Sequence, residues 1–341
     1  MLRMDDIIRE FHDEYYASAE FRVWQNDLAC DIYRKLSPHT DSGKLQEVPK
    51  VTALCEAMSD RKYRGLTIES RMIHGYNNSG VSFDYMGKTA KKELGDMAII
   101  SIATIDRRIF LLKTAFIQNK DSKNNDWGID EKQLFLLKNF PTFTGERGMF
   151  KSQTFTFLNH SGTLGNFGLF LPNGDMTFLT AQNVFCNQQN NSRINFDSIR
   201  NGACGCYPHR TLRDTQRCNR CKRHCDFNDC IECRHCRSLN DCTIDSHAPF
   251  FGRYSYALDV HEVVRELTYF NIGELSWVLS GNDINSDLLR CTGIILASTF
   301  GYKIGEGYFN RDNIQGFNHS GDEINMSVVL NHLELKGKYL K

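Results

Sequence analysis

Glu93-Leu-Gly-Asp-Met-Ala-Ile-Ile-Ser-Ile-Ala-Thr-Ile-Asp-Arg-Arg-Ile-Phe-Leu-Leu-Lys-Thr-Ala-Phe-Ile-Gln-Asn-Lys120 is the stretch from which the fold is read. An apolar run opens at Met97, a charged turn follows at Asp106-Arg107-Arg108, and a second run extends from Ile109 to Lys120. Two runs rich in Ile, Leu, Phe and Thr around a polar turn predict a β-hairpin. Asp96 stands at the head of the first strand. Gln118 and Lys120 lie near the end of the second and share one face, because strand side chains alternate with a period of two. Antiparallel pairing sets the start of one strand beside the end of the other. A carboxylate, an amide oxygen and an ammonium are thereby expected at one end of a sheet. That set suits a divalent metal and a cation acting together on a phosphodiester.

Asp96 followed across the hairpin by Gln118-Asn119-Lys120 resembles the PD-(D/E)xK nuclease superfamily, over roughly residues 60–145. The resemblance implies a restriction-endonuclease-like α/β (α+β) fold, a mixed sheet flanked by helices. It implies Mg²⁺ held by Asp96 and the Gln118 side-chain oxygen, with Lys120 orienting the attacking water and offsetting charge on the phosphate. It also implies an acid on an upstream helix, a place that Glu69 in Gly65-Leu-Thr-Ile-Glu-Ser-Arg-Met-Ile-His74 would fill. The pattern departs from the family at two positions. Gly95 stands where a proline is usual, and Gln118 replaces the second acid, removing a charge from the metal site. Glu93, three residues before Asp96, either reaches a second metal or is solvated. Without the family context, Lys120 reads as an ordinary strand-end lysine and Asp96 as a turn residue.

Outward from the hairpin, residues 4–36 have apolar positions near helical spacing, and Ser37–Gly43 with Pro38 reads as a linker. A short helix over Pro49–Met58 and one carrying Glu69 are expected, then a strand over Val81–Met86. Downstream, Ile129–Phe140 reads as a helix that Pro141 ends. Pro172-Asn-Gly-Asp175 makes a hairpin turn between Phe167–Leu171 and Met176–Thr180. Asp259–Phe270 and Ile272–Leu279 read as helices, Leu288–Phe300 as helix or buried strand, and Gly301–Gly321 as loop. Four parts are expected: a helical segment 1–45, a nuclease core with following strands 46–200, a Cys-rich insertion 201–247, and a helical and mixed part 248–341.

Nine of the 13 cysteines fall between 204 and 242. A reducing compartment disfavours structural disulfides, so the clustering argues for metal. Cys218-x2-Cys221 with Cys230-x2-Cys233 would complete one tetrahedral Zn²⁺ site. Cys204, Cys206, Cys225, Cys236 and Cys242 suffice for a second, with the pairings open. Cys230-x2-Cys233-x2-Cys236 also echoes ferredoxin spacing, which keeps an iron–sulfur cluster as the rival. The same segment holds Arg213, Arg217, Arg220 and Arg223 in a basic stretch. These arginines are suited to phosphate contacts on DNA, or equally to solubility or a protein partner.

The chain has 341 residues and 41 basic against 41 acidic side chains, so no global field draws it to nucleic acid. An acidic N-terminus and the absence of any run of ~20 apolar residues predict a cytoplasmic protein with no membrane segment. Two functions are expected. The first is a Mg²⁺-dependent DNA endonuclease with structural zinc. The resemblance places such enzymes mostly in restriction or anti-phage defence, as homo-oligomers or with a defence-complex partner. The second is a non-catalytic zinc-binding interaction protein built on a degenerate nuclease core.

Overall fold

The computed structural model describes residues 4–39, 47–74, 79–122, 124–159, 162–187, 193–196, 199, 250, 256–278, 285–305, 307–311 and 324–335. The cysteines of 204–242 and Arg213, Arg217, Arg220 and Arg223 lie outside them, so the zinc sites and the basic surface stand as sequence expectations.

The predicted hairpin is the spine of an 11-stranded mixed sheet. Its arms are β5 (Met97–Ile105) and β6 (Arg108–Asp121), paired from Met97↔Ile117 to Ile105↔Arg108. Asp106 and Arg107 turn the chain with φ of 49° and 66°, the doubly left-handed geometry that matches strand twist. Outward from β5 come β17 (Ile324–Leu335), β2 (Leu66–His74) and β1 (Arg61–Tyr63). β17 runs parallel to β5 and antiparallel to β2.

On its other edge β6 is shared. The short β14 (Glu274–Val278) pairs with residues 111–114. β10 (Gly165–Phe170) pairs in parallel with residues 116–121. β11 (Met176–Thr180) and β13 (Tyr256–Ala257) continue beyond β10, and the hairpin β15 (Tyr302–Gly305)–β16 (Tyr308–Arg311) joins β6 at Arg108. A four-stranded antiparallel sheet, β4 (Lys88–Glu93), β3 (Gly80–Tyr85), β8 (Phe143–Gly145) and β9 (Thr154–Phe155), lies beside it. The pair β7 (Asp126–Gly128) and β12 (Arg193–Asn195) stands apart.

Seven α-helices occur among the described residues: α1 (Met4–Phe11), α2 (Ala19–Leu36), α3 (Glu47–Met58), α4 (Glu131–Asn139), α5 (Ala181–Asn187), α6 (Val260–Thr268) and α7 (Ser286–Phe300). Alternation along β5 and β6 sends side chains both ways, and both faces are covered, which is why the two strands read as near-continuous apolar runs. Ile100, Ile102, Leu112 and Phe116 pack with α4, α7 and the small sheet. Ile99, Ala115 and Ile117 pack with α2, α3 and α6. All of these side chains are fully buried, each Ile, Leu and Phe contributing roughly 1.5–3 kcal/mol relative to exposure. None of the described helices is long and apolar enough to cross a membrane.

The structure corrects three readings and resolves a fourth. Gly65–His74 is strand β2, so Glu69 is on no helix: Leu66 and Ile68 are buried and Thr67 and Glu69 are not, a period of two. Ile272–Leu279 holds strand β14 because Gly273, at φ 104°, brings the backbone against Thr114, where a Cβ would lie 2.8 Å from backbone atoms. Gly301–Gly321 is not wholly loop, since β15 and β16 fall within it. Leu288–Phe300 resolves as helix, with the Asn285 side chain accepting from Leu288 N–H. Strand β17 had no sequence expectation at all. Lying between β2 and β5, it brings the segment after 248 into one sheet with residues 66–121.

Candidate active site

Asp96 is fixed before its side chain is considered. Its N–H donates to the Ile117 carbonyl at 2.9 Å, and its own carbonyl accepts from Ser327 N–H at 2.8 Å, so β6 and β17 hold it from both sides. Gly95 belongs to this arrangement, because a Cβ there would sit 3.0 Å from the Ile117 carbonyl oxygen. The carboxylate then receives two donors on one oxygen. Asn119 N–H reaches Oδ2 at 2.7 Å, and the Gln118 amide nitrogen donates to the same atom. Oδ1 accepts no hydrogen bond among the described residues. Burial pushes the Asp96 carboxyl up to about 6, and the Glu93 charge adds to this, while Lys120 and the two donors pull the other way.

Lys120 extends to Glu47 in the first turn of α3, with Nζ 3.2 and 3.3 Å from the two carboxylate oxygens. Burial raises the Glu47 carboxyl, and the charges on Asp96 and Asp121 raise it further against the pull of Lys120. Glu93 is likewise raised by burial, with Lys120 lowering it and Glu47 raising it. Three desolvated carboxylates therefore share the field of one ammonium. Each disfavours ionisation of another, which a bound cation would relieve.

Next to this cluster, Lys50 of α3 donates to Asp121 Oδ1 at 2.7 Å, both side chains about 4% exposed. Residues 120 and 121 point to opposite faces of β6, yet both are paired to one helical turn through Glu47 and Lys50. The helix start is thus pinned to the strand end twice.

The sequence expectation of Asp96, Gln118 and Lys120 at one sheet end holds in this geometry. Glu69 is elsewhere. The register sets it beside Leu330 and, across β17, level with Ile100, four residues along the sheet from Asp96. Two strand spacings and four residues of rise put it roughly 16 Å away. Its carboxylate accepts from the Tyr302 hydroxyl at 3.2 Å instead. Glu47 is the acid that sequence reasoning missed. Its signal was position in the first turn of the short helix before the hairpin, where a carboxylate favours the helix dipole.

A divalent metal fits this donor set sparsely. Among the described residues no three His, Cys, Asp or Glu side chains form a cage. The free Asp96 Oδ1 and the Gln118 side-chain oxygen are two hard oxygen donors, and Mg²⁺ commonly keeps water for the rest. No protein-family model matches the chain, and no curated protein or solved structure matches it either.

Proposed function

We propose that this chain is a Mg²⁺-dependent endonuclease that hydrolyses phosphodiester bonds in DNA. The observation that carries the reading is the meeting of Asp96, Gln118 and Lys120, with Glu47, at one end of the β5–β6 hairpin. The order helix α3, strand β2, hairpin β5–β6, helix α4 and parallel strand β10 agrees with a restriction-endonuclease-like core.

Asp96 and Gln118 would hold the metal, which supplies Lewis-acid activation of the phosphate and of a bound water when present. Asn119 N–H and the Gln118 amide keep the Asp96 carboxylate oriented. Lys120 supplies the positive charge for the phosphorane-like transition state. Glu47 holds that ammonium at the strand end until substrate displaces it, and its raised carboxyl can accept a proton as the water is deprotonated.

The cysteines of 204–242 would hold one or two structural Zn²⁺ ions, and Arg213, Arg217, Arg220 and Arg223 would contact DNA phosphates. Restriction or anti-phage defence in the cytoplasm, in a homo-oligomer or with a partner protein, is the setting proposed. A second reading is a non-catalytic zinc-binding scaffold. It is favoured by the Gln118 amide nitrogen on Asp96 and by the engagement of Lys120 with Glu47.

Nicking of supercoiled plasmid by the purified full chain decides between them. The nuclease reading expects Mg²⁺-dependent nicking that EDTA abolishes and that Asp96→Ala removes. Intact plasmid at every Mg²⁺ and Mn²⁺ concentration, with the zinc content in place, leaves the scaffold.

A further inference from the structure

At the other end of β5, on the sheet face that carries Asp96, lies a cavity of about 300 Å³, at the lower end of the usual size for small-ligand sites. Its floor is Thr104 of β5 with His332 and Glu334 of β17, three side chains that alternation and the Thr104↔Glu334 register place on one face. Its roof is the β15–β16 hairpin, through Tyr302, Phe309 and Asn310. Arg107, in the left-handed turn between β5 and β6, closes one side.

The roof is held. The Tyr302 and Phe309 rings pack at 4.6 Å between centroids, Phe309 stands edge-on to His332 at 5.0 Å, and the Tyr302 hydroxyl is anchored on Glu69. The Thr104 hydroxyl lies 3.0 Å from His332 Nε2 and 3.4 Å from the Leu333 carbonyl, and in the tautomer with the ring proton on Nε2 it accepts from the ring and donates to the carbonyl. With its proton on Nε2, the ring has a bare lone pair at Nδ1, which takes no hydrogen bond among the described residues. Burial holds the ring down at about 4, so it is neutral across the physiological range and serves as an acceptor. Arg107 and Glu334 have no ion pair among the described residues.

The cavity thus offers a cation, a carboxylate, a neutral nitrogen acceptor and an aromatic roof. A simple anion would meet Glu334, a simple cation would meet Arg107, and an apolar molecule would desolvate both charges unpaired. We propose that the cavity binds a small zwitterion of the α-amino-acid class. The carboxylate would lie on Arg107, the ammonium between Glu334 and His332 Nδ1, and the side chain under Tyr302 and Phe309. The proposal is independent of the nuclease reading, since the site lies eight residues of β5 from Asp96, roughly 26 Å.

Thermal unfolding and calorimetry of the full chain test it, using the proteinogenic L-amino acids with N-acetyl-L-phenylalanine and phenethylamine as controls. The expected result is saturable binding of at least one amino acid and none of the controls, which lack the ammonium or the carboxylate. Arg107→Gln and Glu334→Gln, both at exposed positions, should each weaken binding about tenfold or more, as loss of a charged hydrogen bond does, without lowering the melting temperature. In the native protein the ¹⁵N resonance of His332 Nδ1 should move on binding while Nε2 keeps its proton. Absence of binding by every amino acid, equal binding of the controls, or binding that survives both substitutions would each overturn the proposal.

Discussion

The two ends of the β5–β6 hairpin share a face and a core but treat charge in opposite ways. Around Asp96, three partly buried carboxylates share one ammonium, with all three carboxyls raised. Around Thr104, the partly buried titratable group is a neutral histidine, and the charged residues Arg107 and Glu334 stay exposed at the rim. A fold that only needed stability would use the second arrangement at both ends, because desolvated charge costs several kcal/mol and is seldom recovered. The Asp96 end therefore stores unfavourable electrostatics where the chemistry is proposed, and the Thr104 end does not.

The largest effect expected from this contrast is on cleavage. Asp96→Ala and Lys120→Ala should each reduce plasmid nicking by about a hundredfold or more while leaving fold and zinc content intact. Near-wild-type rates in either variant would mean that the strained end is not where the reaction occurs.

The next concerns the Lys50–Asp121 pair. Lys50→Met removes the ammonium from a buried carboxylate and should lower stability to urea by about 3–5 kcal/mol, whereas Lys50→Met with Asp121→Leu should recover most of it. If the double variant is as stable as the native chain but nicks slowly, the pair serves to hold the start of α3 and Lys120 in place.

The third has the opposite sign. The Asp96 carboxyl is raised in the folded state, so the folded protein holds its proton over a window from its ordinary value near 4 up to about 6, where the unfolded chain has lost it. Stability is then lost as pH rises through that window. Asp96→Asn should therefore be more stable than the native chain at pH 7, by at most about 3 kcal/mol, and equal to it below pH 4. A variant less stable at pH 7 would show that the carboxylate is stabilised in place. Added Mg²⁺ should narrow the difference by stabilising the native chain alone.

The smallest effect is reserved for Glu69. Glu69→Gln keeps an acceptor for the Tyr302 hydroxyl and should leave nicking within about twofold, since its carboxylate is remote from Asp96. A loss comparable to that of Asp96→Ala would restore it to the reaction.

What sequence could and could not reveal divides along the same hairpin. Asp96, Gln118 and Lys120 were legible because a β-hairpin is local: a polar turn and two apolar runs fix which ends meet. Glu47 was not, because its approach to Lys120 depends on how α3 docks across the sheet end, and no short-range period encodes that. Glu69 was misplaced because Ile68 and Met72, four residues apart, fit helical spacing as well as alternation, and only pairing with β1 and β17 decides. The same holds for Ile272–Leu279, where Gly273 approaching Thr114 overrides local preference.

The position of β17 sets a condition on how the molecule is made. Thr67 and His332, 265 residues apart, are neighbours in the finished sheet, and β5 reaches β2 only through the strand between them. Contacts of such long range are slow to form, since a large loop must close before they are rewarded. Until residues 324–335 arrive, β2 and β5 present open edges that invite pairing with other chains. Asp96 also lacks the Ser327 N–H that anchors its carbonyl. The nascent chain is thus kept from assembling its Asp96 end early, and the same interval is when it is most exposed to misassociation.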